Sequence, residues 1–446
     1  MTGTLGPSNV STKLERVAEL ARTAPEMVLT TLAHHVDLDL LYEAHRLTRK
    51  DGAVGVDGQT AADYEENLEA NLRSLLERFK SGRYRAPPVR RKHIPKGDGS
   101  QTRPIGIPTF EDKVLQRAVT MVLQSVYEQD FLPCSHGFRP GRSPHQALEA
   151  LWQGLMGMGG AWVLDVDIQG FFDALDPVHL RGFLDQRVRD GVLRRAVDKW
   201  LKAGVLEHGN VSYSQTGTPQ GGVISPLLSN IYLHEVVDKW FEADVKPRLK
   251  GRAFLVRFAD DLVIACSLEE DARRVLAVLP RRLGRFGLTL HPTKTRLVAF
   301  RRPGSAGQGR GDGPRGSFDF LGFTHHWARS RRGQWVVRRR TASGRFGRAL
   351  HRVSDWCRRH RHFPLADQHA ALVRKLQGHF AYYGITGNSP ALGRFRHEVR
   401  RAWHRWLCRR SREAWIPWRR FVLLLARYPL PMARAVHSIY RHPARP

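Results

Sequence analysis

The sequence predicts an α+β fold, and three observations carry the prediction. Two apolar runs of strand composition, residues 254–258 and 262–265, flank the adjacent acids Asp260 and Asp261, the pattern of a hairpin with charge at its tip. Amphipathic stretches with apolar residues three and four apart lie on either side of it. The final quarter reads as helices, with Leu372, Leu376 and Phe380 marking one and Phe395, Val399, Trp403 and Trp406 falling on one face of the next.

Composition narrows the function classes. A chain of 446 residues, 41% of them hydrophobic, can build two or three domains with real cores. The net charge of +30 points to a polyanionic partner. That charge is uneven: from Arg331 onward there are 27 Lys/Arg against 4 Asp/Glu, so +23 of the +30 lies in the last quarter, with six of the eleven tryptophans. Four scattered cysteines form neither a disulfide framework nor a Cys-x-x-Cys zinc site. With no apolar signal core at the N-terminus and no run long enough to span a bilayer, the expectation is a cytoplasmic protein without a membrane partner.

In chain order, residues 1–30 carry weak pattern and the first dozen are expected to be loose. A helical pattern runs from Met27 to Arg49 through Val28, Leu32, Leu38, Leu41 and Ala44, and a second helix is marked by Leu68, Leu72, Leu75, Leu76 and Phe79. Residues 84–108 read as two short basic strands joined by Gly97-Asp-Gly99, a hairpin suited to gripping phosphates. A helix follows over 112–127, then a loop, His136-Gly-Phe-Arg-Pro-Gly-Arg142, that opens another. Residues 161–168 alternate as a strand, with Leu164, Val166 and Ile168 on one face and Asp165 and Asp167 on the other. Asp167 therefore stands at a strand end, as Asp260 does 93 positions later.

Between these acids lies Thr218-Pro-Gln-Gly-Gly-Val-Ile-Ser-Pro226, whose glycine pair allows close backbone approach to a ligand and opens a helix. A basic helix is expected over 272–286, then turn and strand around Lys294, a flexible glycine-rich insert over 303–316, and strand again over 318–323. Two neighbouring aspartates among Phe, Val, Leu and Ile are costly unless neutralised, and a hard divalent cation is the usual partner. Taken alone, Asp-Asp fits a solvated turn better than a metal site. The tryptophans at helical spacing fit a core, while the arginine face opposite them (Arg394, Arg396, Arg400, Arg401, Arg405) hardly mixes signs, unlike an ordinary solvated face.

The ordered set resembles group II intron reverse transcriptases, the intron-encoded maturase proteins. Eight pieces occur in the family's order: Gly55-Val-Asp-Gly58; Ile94-Pro-Lys with Arg103-Pro-Ile-Gly-Ile-Pro108; His136-Gly-Phe-Arg-Pro-Gly-Arg142; Asp167-Ile-Gln-Gly-Phe-Phe-Asp173; the stretch from Thr218 to Asn230; Phe258-Ala-Asp-Asp261; Leu288-Thr-Leu leading to Lys294-Thr; and Phe318 to Phe323. The likeness is strong over residues 35–325 and looser through Gly378-His-Phe-Ala-Tyr-Tyr-Gly384.

The resemblance implies a right-hand polymerase: an N-terminal helical extension (1–80), fingers and an antiparallel-sheet palm (81–325), and a basic helical thumb or maturase domain (326–446). It implies an RNA-directed DNA polymerase that copies RNA into DNA for intron mobility and binds intron RNA to assist splicing. Asp167, Asp260 and Asp261 match the catalytic triad that holds two Mg²⁺ ions, with Mn²⁺ a possible substitute. Lys96 and Arg103 match the clamp on the incoming dNTP. Phe172 matches the bulky residue that blocks a ribose 2′-hydroxyl, Gln220 the wall under nucleotide and template, and Lys294 a lysine near the triphosphate. Arg394, Arg400, Arg401 and Arg405 are the expected RNA-binding face. RNA template, DNA primer or target and dNTPs are the implied partners, with nucleoid association when acting on DNA.

Two departures stand out. The family's usual Tyr-Ala-Asp-Asp is Phe258-Ala-Asp-Asp here, and Gln169 replaces a frequent lysine; neither removes a metal ligand. No His/Cys nuclease module follows the thumb, so integration is expected to rely on DNA already opened. Three other readings stay open. A domesticated relative in DNA repair or phage defence would differ in genomic context. A non-enzymatic splicing factor would have no need of the carboxylates. An RNA-copying RNA polymerase is disfavoured by Phe172.

Overall fold

The computed structural model describes residues 7–96, 101–207, 210–212, 221–304, 316–411 and 413–437. The chain divides into two units, Met1–Ala147 with Leu164–Leu297, and Leu148–Val163 with Val298–Pro446.

The first unit begins with a helix where a loose segment was expected. Helix α1 (Pro7–Thr23) buries Val10, Val17 and Ala21 on one face, a stripe diluted in the sequence by Ser, Thr and Lys. The expected helix over 27–49 is confined to α2 (Leu38–Leu47), because Asp37 caps it by accepting from Leu40 N at 2.9 Å. Upstream, Leu29 instead bridges to Val188 and residues Ala33–His35 form a 3₁₀ turn. Helices α3 (Ala61–Glu65, opened by a Thr60/Asp63 capping box) and α4 (Leu68–Lys80) follow.

Strands β1 (Val89–Lys96) and β2 (Gln101–Ile107) pair antiparallel with Lys96 opposite Gln101, as the basic hairpin predicted; the turn at 97–100 lies outside the described residues. Helix α5 (Phe110–Asp130) is buried nearly all round, through Val114, Leu115, Ala118, Val119, Val122 and Leu123. After α6 (Pro144–Met158, in the second unit from Leu148 on) come β3 (Gly160–Val166, in the first unit from Leu164 on), α7 (Phe171–Ala174), α8 (Pro177–Asp185), α9 (Gly191–Leu201), β4 (Val205–Glu207) and β5 (Asn210–Ser212). Helix α10 (Ser225–Leu233) is buried along its length and runs on into π-helical turns over His234–Asp238 and Trp240–Val245.

The hairpin with acids at its tip is β6 (Ala253–Phe258) and β7 (Asp261–Cys266). Helix α11 (Glu269–Gly284) and strand β8 (Arg296–Arg301) follow. Two four-stranded sheets result, in the orders β2-β1-β4-β5 and β6-β7-β3-β8.

The second unit corrects the expectation of a helical tail. Strands β9 (Phe318–Phe320), β10 (Phe323–Arg329) and β11 (Trp335–Thr341) form an antiparallel sheet before any tail helix starts. The strand signal in β11 was obscured by Arg338, Arg339 and Arg340, yet Val337, Arg339 and Thr341 alternate inward as a strand requires. Helices α12 (Ser343–Arg359), α13 (Leu365–Tyr383), α14 (Ser389–Leu407) and α15 (Trp418–Arg427) then share a core of Phe346, Leu372, Phe395, Trp403 and Phe421. The glycine-rich insert falls mostly at 305–315, outside the described residues.

Candidate active site

The β6–β7 turn is the tightest kind of hairpin. Phe258 pairs with Asp261, which leaves Ala259 and Asp260 as a two-residue loop. Such loops twist correctly only with positive φ, usually supplied by Gly or Asn. Here Ala259 takes φ 56°, a conformation that costs a non-glycine residue about 1 kcal/mol. Its neighbours hold it there. Residues 134–137 run beside β6, with Arg257 N donating to Cys134 O (2.8 Å) and His136 N donating to Arg257 O (2.9 Å). Gly137 lies so close to the turn that a Cβ there would stand 2.2 Å from Ala259 N. Asp260 is half-buried and Asp261 exposed.

Asp167 is fixed by a different segment. It follows β3, and Ile168 bridges antiparallel to Leu290. His291 N donates to Asp167 O and Gln169 N to Thr289 O, each at 2.8 Å. Thr295 Oγ1 accepts from Asp167 N and donates to Asp167 O, both at 3.3 Å. This pairing brings Lys294, 127 positions away, to Asp167: Nζ lies 3.4 Å from Oδ2. Strands β7 and β3 are hydrogen-bonded neighbours, so the strand that Asp261 opens lies beside the strand that Asp167 directly follows.

Among the described residues no three His, Cys, Asp or Glu side chains are gathered closely enough to hold a metal ion by themselves. The donors nevertheless suit Mg²⁺, which is typically held by one or two carboxylates together with substrate phosphates instead of an all-protein cage. The exposed Asp261 and the one-third-exposed Asp167 leave room for those phosphates.

The reverse transcriptase (RNA-dependent DNA polymerase) family matches residues 94–325, just over half of the chain, and that stretch contains all three aspartates. The chain belongs to this family. Its relatives place it with the group II intron proteins. It is 40% identical over 228 residues to the group II intron-encoded protein LtrA of Lactococcus lactis subsp. cremoris, covering 50% of this chain and 37% of LtrA. It is 32% identical over 330 residues to protein YkfC of Escherichia coli K12, covering 65% of this chain and 84% of YkfC. A shorter match, 30% over 111 residues, is to nuclear intron maturase 1, mitochondrial, of Arabidopsis thaliana, covering 23% of this chain and 15% of that protein. The chain thus spans little more than a third of LtrA's length.

Elsewhere in the chain the expected nucleotide contacts are less complete. Arg103 is exposed on β2, paired through its backbone with Ile94. The side chain of Lys96 and the whole of Gln220 lie outside the described residues. The glycine pair after Gln220 is placed: a Cβ on Gly221 (φ 119°) would lie 2.4 Å from Gly106 O, so this turn packs directly on β2. Phe172 is half-buried, its ring centroid 5.4 Å from that of Phe171.

Sequence reasoning assigned no role to the buried polar chain behind the glycine turn. Gln116 accepts from Ile224 N (3.3 Å) and donates to Asp112 (3.0 Å), which also receives Trp200 Nε1 (2.7 Å) and the Tyr84 hydroxyl. Burial pushes Asp112 up to about 6 despite these three donors. Asp112-x-x-x-Gln116, which places Asp and Gln one turn apart on the same face as Leu115 and Val119, was the available signal.

In the tail, Phe395, Val399 and Trp403 are core, and Trp403 Nε1 donates to Gln368 Oε1 at 3.0 Å. Arg394 stacks over Phe346 at 4.4 Å and Arg400 over Trp418 at 5.8 Å, whereas Arg401 and Arg405 are exposed. Among the described residues no helix is long and apolar enough to cross a membrane.

Proposed function

We propose that this chain is a group II intron-type reverse transcriptase that copies RNA into DNA from a DNA primer and binds intron RNA to assist splicing. The observation that carries the reading is the juxtaposition of Asp167 and Lys294 beside the strand that begins with Asp261, within the stretch matched to the reverse transcriptase family.

Asp167, Asp260 and Asp261 are the carboxylates that hold Mg²⁺. When bound, divalent ions supply positive charge that activates the primer 3′-hydroxyl and stabilises the departing pyrophosphate. Lys294 neutralises Asp167 before substrate arrives and then faces the triphosphate, so the site never carries its full negative charge unpaired. Lys96 and Arg103 in the finger hairpin clamp the phosphates, and Gln220 with its glycines forms the floor beneath the nucleotide. Phe172 excludes a ribose 2′-hydroxyl. Residues 81–325 serve as fingers and palm. In the thumb, Arg394, Arg400, Arg401 and Arg405 hold structured RNA, with affinity that falls as salt rises.

Primer extension on an RNA template with Mg²⁺ and dNTPs, alongside sequencing of RNA that co-purifies with the protein, tests both halves. DNA product together with enriched intron RNA is expected. Failure to extend sinks the polymerase reading, and extension without any enriched structured RNA sinks the splicing role.

A further inference from the structure

The residue that precedes the catalytic turn is a fully buried arginine. Arg257 has 0% exposure, and all five of its guanidinium N–H groups meet an acceptor. Nε donates to Asp238 Oδ1 (2.8 Å) and Nη2 to Asp238 Oδ2 (2.6 Å), a bidentate pair. The second Nη2 donor goes to Ser135 Oγ (2.7 Å). Nη1 donates to Asn230 Oδ1 and to the carbonyl of Ala259, both at 3.0 Å.

The last contact is the informative one. Ala259 is the residue forced to positive φ, and its carbonyl is the peptide group joined to Asp260. The same guanidinium therefore grips the strained turn on one side and a helix on the other. Asn230 completes the grip, because its Nδ2 donates to Gly137 O at 2.7 Å, and Gly137 is the residue packed on Ala259 N.

Helix geometry shows how unusual the arrangement is. Asn230 and Asp238 are eight residues apart, and in a regular α-helix the second side chain would point about 80° away from the first. The π-helical turn over His234–Asp238 widens the helix there and lets both reach one guanidinium. Such turns are rare and concentrate at functional sites. Burying an ion pair is a poor way to gain stability but a good way to fix one geometry.

We propose that Arg257, held by Asp238 and Asn230, is a positioning residue that fixes the Ala259–Asp260 turn in the geometry needed for metal-dependent catalysis. Arg257 touches neither substrate nor metal; it acts through the Ala259 carbonyl. The proposal rests on the reading of Asp260 and Asp261 as the carboxylates of a polymerase.

The test compares Arg257→Lys with the parent chain. Lysine keeps the charge for Asp238 but has three donors on a single nitrogen and cannot span Asp238, Ser135, Asn230 and the turn together. Thermal unfolding and RNA binding establish that the variant is folded. Primer extension then gives kcat, the KM for dNTP and the Mg²⁺ concentration at half-maximal rate. The expected result is a kcat at least tenfold lower and a Mg²⁺ requirement raised severalfold, with the dNTP KM changed less than twofold. A purely structural arginine would lower the melting temperature and leave the kcat of the folded enzyme and its Mg²⁺ requirement unchanged, and that outcome overturns the proposal. Should Arg257→Lys not fold, Asn230→Ala removes one acceptor while keeping the Asp238 pair. It is expected to show the same kcat and Mg²⁺ signature, and parental values in a folded Asn230→Ala protein overturn the proposal equally. Asp260→Ala separates the two levels. If Asp260→Ala polymerises normally, the carboxylate reading itself has failed; if it is inactive while folded Arg257→Lys is fully active, only the positioning role has failed.

Discussion

Gly137 and Ala259 are in backbone contact: a methyl group placed on Gly137 would stand 2.2 Å from Ala259 N and 2.9 Å from Phe258 C. Neither obstacle is a flexible side-chain end, so Gly137→Ala must push the β6–β7 turn or the 134–137 segment aside. Displacements of this size at a reacting centre cost on the order of a hundredfold in rate. We predict a loss of that order in kcat for primer extension, with RNA binding retained in a filter-binding assay.

Lys294 and Asp167 form a half-exposed pair, and such pairs contribute only about 0–1 kcal/mol to stability. Lys294→Ala should therefore leave the melting temperature within a degree or two of the parent. Its effect belongs to the substrate: a KM for dNTP raised by about tenfold is expected, the loss of one charge-assisted phosphate contact. Steady-state kinetics at saturating primer–template reads this directly.

Phe172 sits on the short helix α7, opened by Gly170 at φ 55° directly after the Asp167 segment. If its ring excludes the 2′-hydroxyl, Phe172→Ala should raise ribonucleotide incorporation by about tenfold or more relative to dNTP, since a steric barrier is removed without a new attraction. Competition between a dNTP and its ribonucleotide at one template position measures the ratio.

His325 in the second unit is fully buried, stacked on Phe318 at 4.9 Å, and neither ring nitrogen has a hydrogen-bond partner. Burial, with Arg339 and His326 nearby, pushes its pKa down to about 3 from an ordinary 6.5. The unfolded chain thus takes up the proton first as pH falls, so stability is present above pH 6.5 and is lost between 6.5 and 3. Phenylalanine has the same shape without the orphaned nitrogens. His325→Phe should stabilise by about 1 kcal/mol at pH 7 and flatten the fall of melting temperature on acidification.

Much of this site was legible because its signals are local. Two apolar runs flanking Asp260–Asp261 specify a hairpin, and the alternation of residues 161–168 puts Asp167 at a strand end. What was not legible depends on residues that meet only in the fold. Arg257 draws its partners from positions 135, 230, 238 and 259, and the π-helical turn that gathers two of them has no sequence pattern of its own. Gln116 and Asp112 look like polar interruptions of a helix until Ile224 N is brought to them. Of the sheet ahead of the tail helices only the strand at 318–323 was read, and β11 escaped notice because arginines occupy both of its faces, one of them the buried Arg339. Helix α1 was hidden by a narrow apolar stripe in a polar segment.

The proposed RNA-templated DNA synthesis depends most on the carboxylates of the β6–β7 turn acting with Asp167. The direct measurement is single-turnover extension of a DNA primer on an RNA template, comparing the parent protein with Asp260→Ala at matched folding and primer–template occupancy. Removal of a metal-binding carboxylate should lower the rate by at least a thousandfold, roughly 4 kcal/mol of barrier, with occupancy unchanged. An Asp260→Ala protein that extends the primer within a few fold of the parent rate would contradict it.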